Sequence, residues 1–184
     1  MARTESSMLA LGTTAPSFTL QDVVTKHELD TKNVRGPKGL LVMFICRHCP
    51  FVKHLEKSLA QLGRDYQGKG IGIVAISSND AVNYPDDAPD SLAQQAKQIG
   101  FTFPYLYDET QAVARAYDAT CTPDFFLFDD ALKLVYRGQF DSSRPGNEIP
   151  VTGKDLRAAL DAVIAGKPVN ADQHASLGCN IKWK

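Results

Sequence analysis

The most constraining feature of this chain is the run "KGLLVMFIC" (residues 38–46), which ends in a cysteine and passes straight into "RHCP" (47–50). A continuous apolar run of this length reads as a central strand buried on both faces rather than a half-exposed one. Beyond Pro50, the residues Phe51, Val52, Leu55, Leu59, Leu62 and Tyr66 recur at three- and four-residue steps, the period of an amphipathic helix. Cys46 and Cys49 therefore sit where a buried strand hands over to a helix, the place where open α/β sheets carry their sites.

Pro50 sets the register of that helix. Proline is tolerated at the first helical residue, where no N–H donor is needed, so Cys49 becomes the N-cap. Its sulfur then faces unpaired amides and the positive end of the helix dipole. Such a setting lowers a thiol pKa from about 8.5 toward neutrality or below. Starting the helix at Cys46 would put Pro50 in the helix body, at a cost of up to about 3 kcal/mol. Cys49 is accordingly the expected nucleophile, and Cys46, at the strand's end, the expected resolving thiol. Arg47 and His48 are expected to add positive charge beside Cys49, with His48 also a candidate for proton transfer. A Cys46–Cys49 bond requires the chain to turn immediately after Ile45. Three extended residue steps would hold the Cα atoms about 10 Å apart, beyond the limit of about 7 Å for a disulfide. The rival pair, Cys49–Cys179, requires the C-terminal segment to dock at the junction.

Along the rest of the chain, "SFTLQDV" reads as a short strand and "GIGIVAISS" as a second buried one. The loop "NDAVNYPDDAPD" carries acidic charges that are expected to be solvated. Leu92, Ala96 and Ile99 mark a second helix, "FPYLYD" a short strand and "ETQAVARAYDA" a helix. "DFFLFDD" and "LKLVYRGQF" form an expected hairpin about Asp129-Asp130-Ala131. Leu156, Ala159, Leu160, Val163 and Ile164 mark a last helix, with Thr152 and Asp155 resembling its capping box. Residues 1–10 read as a loose N-terminal tail and 168–184 as a C-terminal tail on a single domain spanning 1–184. The alternation implies an α/β domain with a central mixed β-sheet flanked by helices.

With 184 residues, 43% of them hydrophobic, the chain can build a core without covalent staples. Its net charge of −1 gives no field to hold nucleic acid or an anionic membrane, and no apolar run has the length of a membrane span. "MARTESSMLALG" lacks the sustained apolar core of a signal peptide, so a cytoplasmic location is expected. Cys46, His48, Cys49 and His54 form a nominal two-cysteine, two-histidine set, but they crowd into one short stretch, whereas zinc modules separate their ligand pairs. A c-type haem attachment needs histidine directly after the second cysteine, where Pro50 stands. No metal and no cofactor is expected. His54 reads as a partly exposed helix residue.

Four stretches together resemble the thioredoxin-like redoxins of the alkyl hydroperoxide reductase/thiol-specific antioxidant superfamily. "LGTTAPSFTL" is similar to the opening Gly-x-x-Ala-Pro-x-Phe-x-Leu of that superfamily. "FICRHCPFVKH" resembles the Cys-Asn-His-Cys-Pro signature of a branch of thiol-disulfide isomerases or thioredoxins. "TCTPDFFLFD" resembles the Thr-Pro loop of thioredoxin folds, and "GCNIKW" the tail of the same branch. The resemblance implies a thioredoxin fold with a redoxin-type N-terminal extension and a C-terminal tail. It also implies that Pro123 is a cis-proline facing the site, beside Pro50, and that Thr122 offers backbone groups to a substrate in strand-like pairing. The chain departs from ordinary thioredoxins in one respect. The attacking position falls on Cys49 and the usual partner position on Val52, so the second cysteine precedes the nucleophile. Cys46-x-x-Cys49-Pro50 also sits on the peroxiredoxin pattern Thr-x-x-Cys-Pro, with cysteine in place of threonine and without the arginine expected near Pro123.

Cys121 reads either as a small buried residue or as a thiol near the site. Cys179 reads either as a distal resolving thiol or as packing in a tail docked by Ile181 and Trp183. The leading expectation is a thiol–disulfide oxidoreductase acting on a protein or small-molecule disulfide and restored by a cellular thiol reductant. Its alternatives are a thiol peroxidase acting on a peroxide and a metal-binding carrier using Cys46, Cys49 and a histidine.

Overall fold

The structure, a computed structural model, describes residues 3–184. Its elements in chain order are β1 (Arg3–Glu5), β2 (Thr19–Asp22), β3 (Glu28–Asp30), α1 (Thr31–Val34), β4 (Gly39–Phe44), α2 (Pro50–Tyr66), β5 (Ile71–Ser77), α3 (Pro89–Ile99), β6 (Tyr105–Tyr107), α4 (Ala112–Ala116), β7 (Cys121–Thr122), β8 (Asp124–Phe128), β9 (Leu134–Gly138), α5 (Lys154–Ile164) and β10 (Leu177–Asn180). A mixed sheet runs in the order β3-β2-β6-β5-β4-β8-β9. β4, β5 and β6 are parallel there, and the remaining pairings are antiparallel. A smaller antiparallel sheet has the order β1-β10-β7.

β4 is buried along its whole length. Its side chains alternate between two cores, as successive residues of a strand must. Leu41 and Met43 pack with Leu59, Leu62, Phe125 and Leu127 on one face. Leu40, Val42 and Phe44 pack with Val74, Ile76, Tyr117, Phe126 and Phe128 on the other. Helix α2 covers the first face through Val52, Leu55, Leu59, Leu62 and Tyr66. Leu59 has no exposed surface, and truncating such a residue to alanine costs about 2–5 kcal/mol. Double-sided burial explains why β4 reads as an unbroken apolar run. It also fixes where its carboxyl end, and so the cysteine turn, projects. Near the amino end of the central strand β5, Gly72 lies against the chain leaving α1, where a Cβ would collide with the Val34 carbonyl.

Four sequence expectations are corrected and two elements are added. The loose tail of residues 1–10 is, from residue 3, strand β1, paired to β10 with Arg3 opposite Cys179 and Glu5 opposite Leu177; residues 1 and 2 lie outside the described residues. The segment 168–184, expected as a tail, carries β10 and runs into the core through Ile181. Thr152 and Asp155 form no capping box. The N-cap of α5 is Gly153 in the left-handed region, φ 69°, where glycine carries no steric penalty. The Asp141 carboxylate accepts from the amides of Thr152 and Gly153 instead. β3 and α1 were not anticipated, although Asp30 and Asn33 cap α1 reciprocally. The acidic loop is also not wholly solvated: Asp80 and Asp87 are buried.

Candidate active site

β4 ends at Phe44, residues 45–49 make a compact turn, and α2 begins with Pro50 at its first position. Cys49 is the N-cap, with extended backbone at φ −67° and ψ 124°. It makes no side-chain capping hydrogen bond of full geometry. The turn after Ile45 and the helical register are therefore those expected from Pro50.

The other half of the site comes from the junction of β7 and β8, where the Thr122–Pro123 peptide bond is cis. The Cys49 Sγ lies 3.2 Å from the Thr122 carbonyl oxygen, and the Cys46 Sγ lies 3.3 Å from the Thr122 hydroxyl. β10 runs antiparallel to β7, with Cys179 opposite Thr122 and Asn180 opposite Cys121. This pairing brings the Cys179 Sγ within 2.8 Å of the Cys49 Sγ. The Thr122 edge, expected to be open to substrate, is thus covered by the chain's own β10. Cys46 and Cys49 have no exposed surface and Cys179 only 2%.

The three thiols are electrostatically unequal. The Cys49 pKa is lowered to about 5, first through its hydrogen bond with the Cys46 thiol, which outweighs the desolvation that opposes it. Cys179 and the Val52 amide, third residue of α2, lower it further. Cys46 is pushed well above the ordinary thiol value, by burial first and then by its bond to Cys49 and the charge of Asp87. Burial and the bond to Cys49 push Cys179 up to about 12. The shifts favour the thiolate on Cys49 and the protonated form on Cys46 and Cys179. Cys121 is also driven up, by burial and Asp124, and its Sγ lies 3.7 Å from the Pro123 carbonyl.

Asp87 organises the turn. One carboxylate oxygen accepts from the amides of Arg47 at 2.8 Å and His48 at 3.1 Å. The other accepts from the Asn79 amide at 2.8 Å and pairs closely with the His48 Nδ1. Burial pushes this carboxyl up, yet the bonds from His48 and Asn79 prevail and hold it below the usual carboxylate range. Sequence reading missed Asp87, having treated the charges of its loop as solvated; the Pro-Asp-Asp turn gave no local sign of burial. The His48 Nδ1 lies 3.9 Å from the Cys46 Sγ, and its ring stacks on Tyr84 with centroids 5.5 Å apart. The histidine therefore addresses Cys46. The expected charge of Arg47 beside Cys49 is corrected. Its guanidinium donates to the Ser91 carbonyl at 2.9 Å and reaches Gln94 on α3. The groups that lower Cys49 include neither Arg47 nor His48.

Cys46, His48 and Asp87 bring three ligand-type atoms within 4.8 Å of one another, but the four donors just described already occupy the carboxylate. His54 is turned away, its Nε2 2.7 Å from the Ser143 hydroxyl, so the nominal set of Cys46, His48, Cys49 and His54 does not converge.

A cysteine at the N-terminus of α2, opposed by a cis-proline on a mixed sheet, defines a thioredoxin-like protein. The solved thioredoxin domain of a thiol-disulfide oxidoreductase from Bacteroides vulgatus superposes with a TM-score of 0.59 at 20% identity, over 74% of this chain and 90% of that one. The chain belongs to the AhpC/TSA family, whose model matches residues 11–137. A solved structure of an uncharacterized conserved protein from Geobacillus kaustophilus is 53% identical, with a TM-score of 0.98 over 100% of this chain and 97% of that one. The thiol-disulfide oxidoreductase ResA of Geobacillus kaustophilus is 29% identical over 126 residues, 68% of this chain and 67% of its own length.

Proposed function

We propose that this protein is a thiol–disulfide oxidoreductase with Cys49 as its nucleophile. The observation that carries this reading is the placement of the Cys49 sulfur at the head of α2, 3.2 Å from the carbonyl that precedes the cis-proline and 2.8 Å from a second thiol. The thiolate attacks one sulfur of a substrate disulfide. That S–S bond breaks, the far half leaves as a thiolate, and a mixed disulfide remains on Cys49. Cys46 then attacks the Cys49 sulfur, releasing the second half and leaving a Cys46–Cys49 disulfide. Cys46 gives up its proton in this step and the departing substrate thiolate takes one up, so the exchange is balanced in protons. A cellular thiol reductant returns the pair to dithiol. The kinship with a protein named thiol-disulfide oxidoreductase supports disulfides, protein or small-molecule, as the substrate class. The cytoplasm, whose reducing pool keeps thiols available, is the proposed compartment.

A peroxidase is the second reading. Full burial of the Cys49 sulfur favours a small oxidant over a bulky one. Peroxide would convert the thiolate to a sulfenic acid, and Cys46 would displace water from it to give the same internal disulfide. Turnover of a model disulfide and of hydrogen peroxide, each with a dithiol reductant, separates the two readings. The oxidoreductase reading expects disulfide turnover that Cys49→Ser abolishes. Full disulfide turnover in Cys49→Ser contradicts it, and turnover confined to peroxide transfers the function to the second reading.

A further inference from the structure

β10 is not a swinging tail. One of its edges pairs with β1 and the other with β7. Gly178 passes so close to the Thr122–Pro123 bond that a Cβ there would run into the Thr122 carbonyl. The flanks are pinned as well. The Ser176 hydroxyl donates to the Pro123 carbonyl at 2.6 Å, the Ile181 amide to the Thr120 carbonyl at 3.1 Å and the Lys182 amide to the Asn79 side chain at 2.8 Å. What this anchoring achieves is the placement of one sulfur, the Cys179 Sγ, 2.8 Å from the Cys49 Sγ. The bonded distance is about 2.05 Å, so a sub-ångström approach joins the two atoms. An extended substrate segment adding to the Thr122 edge would need the space β10 holds.

We propose that Cys179 is a second redox partner of Cys49, and that a Cys49–Cys179 disulfide latches β10 over the nucleophile and closes the site in the oxidised protein. This rests on the proposed function, because the bond arrives by exchange from the Cys46–Cys49 disulfide of that cycle. Cys179, losing its proton, attacks the Cys49 sulfur. The Cys46–Cys49 bond breaks, and Cys46 leaves as a thiolate that takes up one proton. One disulfide is exchanged for another, so no further oxidant is required. Reduction of the latch by a cellular dithiol returns the Cys49 thiolate and lets an extended substrate compete with β10 for Thr122.

The test uses the full-length reduced protein and one equivalent of a small aromatic disulfide. Samples are quenched by alkylation at successive times, and the bridges are mapped by peptide mass spectrometry. The expected result is that Cys49–Cys179 becomes the dominant bridge, whether or not Cys46–Cys49 is seen first, while Cys179→Ser stops at Cys46–Cys49. Gly178→Val, which cannot dock β10, is expected to lower the fraction bridged through Cys179 by about tenfold or more, since a strand end held by a few net-modest hydrogen bonds opens readily once its fit is lost. Cys46–Cys49 alone at all times, with Cys179 fully alkylated in the wild type, overturns the latch and leaves the proposed function standing. No bridge and no adduct at Cys49 overturns both. The wild-type map decides the question even if Gly178→Val does not fold.

Discussion

Replacing Cys46 by alanine tests how the Cys49 thiolate is made. The Cys46 thiol is the first cause of the lowered Cys49 pKa, ahead of Cys179 and the Val52 amide. A hydrogen bond to a charged group contributes about 1.5–3 kcal/mol, and one pKa unit corresponds to about 1.4 kcal/mol. Removing that donor should therefore raise the Cys49 pKa by about 1–2 units, from about 5. Serine keeps a donor near the same place, so Cys46→Ser should move it less than Cys46→Ala. The assay is the ultraviolet absorbance of the thiolate against pH, with Cys49→Ser as the blank. Site-resolved alkylation rates across the same range give an independent curve. An unmoved inflection in Cys46→Ala would refute the reasoning and assign the thiolate to the head of α2. A Cys46→Ser variant shifted more than Cys46→Ala would refute the donor role itself.

Asp87→Ala strips the acceptor from two turn amides and from the Asn79 and His48 side chains; the loss expected in urea unfolding is about 2–3 kcal/mol, and a change below about 1 kcal/mol would contradict the organising role. Asp124 is fully buried with one carboxylate oxygen lacking a partner among the described residues, and burial pushes its pKa well up. Because its folded pKa lies above the unfolded one, the wild type loses stability as pH rises from about 4. Asp124→Asn should therefore gain over wild type at about 1.4 kcal/mol per pH unit at most, and a constant difference at every pH would contradict this. For Cys49 the sign is opposite. Its folded pKa is depressed, so the stability it contributes is full above the ordinary thiol value of about 8.5 and is lost as pH falls through about 5. Cys49→Ser should flatten that part of the pH–stability curve measured by denaturant melts.

The strand–helix junction was readable because its signals are local. An apolar run buried on both faces, a proline and a helical period all lie between Lys38 and Tyr66, and together they fixed Cys49 as N-cap. What escaped were contacts made across the chain. Asp87 meets the Arg47 amide over a separation of 40 residues, and nothing in "PDDAPD" distinguishes the buried aspartate from its solvated neighbour Asp86. β10 is four residues long, too short for a period to register. Its placement depends on Gly178 clearing the Thr122 carbonyl, a steric fact visible only once both segments are in space. Arg47 was misjudged because adjacency in sequence says little about direction: its backbone belongs to the cysteine turn while its guanidinium lies on α3.

The central claim is that Cys49 is the sulfur that attacks. The most direct measurement mixes a model disulfide with the Cys46→Ser/Cys179→Ser double variant at neutral pH. Both neighbouring thiols are then gone, so the first covalent intermediate accumulates and can be located by peptide mass spectrometry. The account predicts a stoichiometric mixed disulfide on Cys49, with Cys121 unmodified. An adduct on Cys121, or none on Cys49 while wild-type protein turns the same disulfide over, would contradict it.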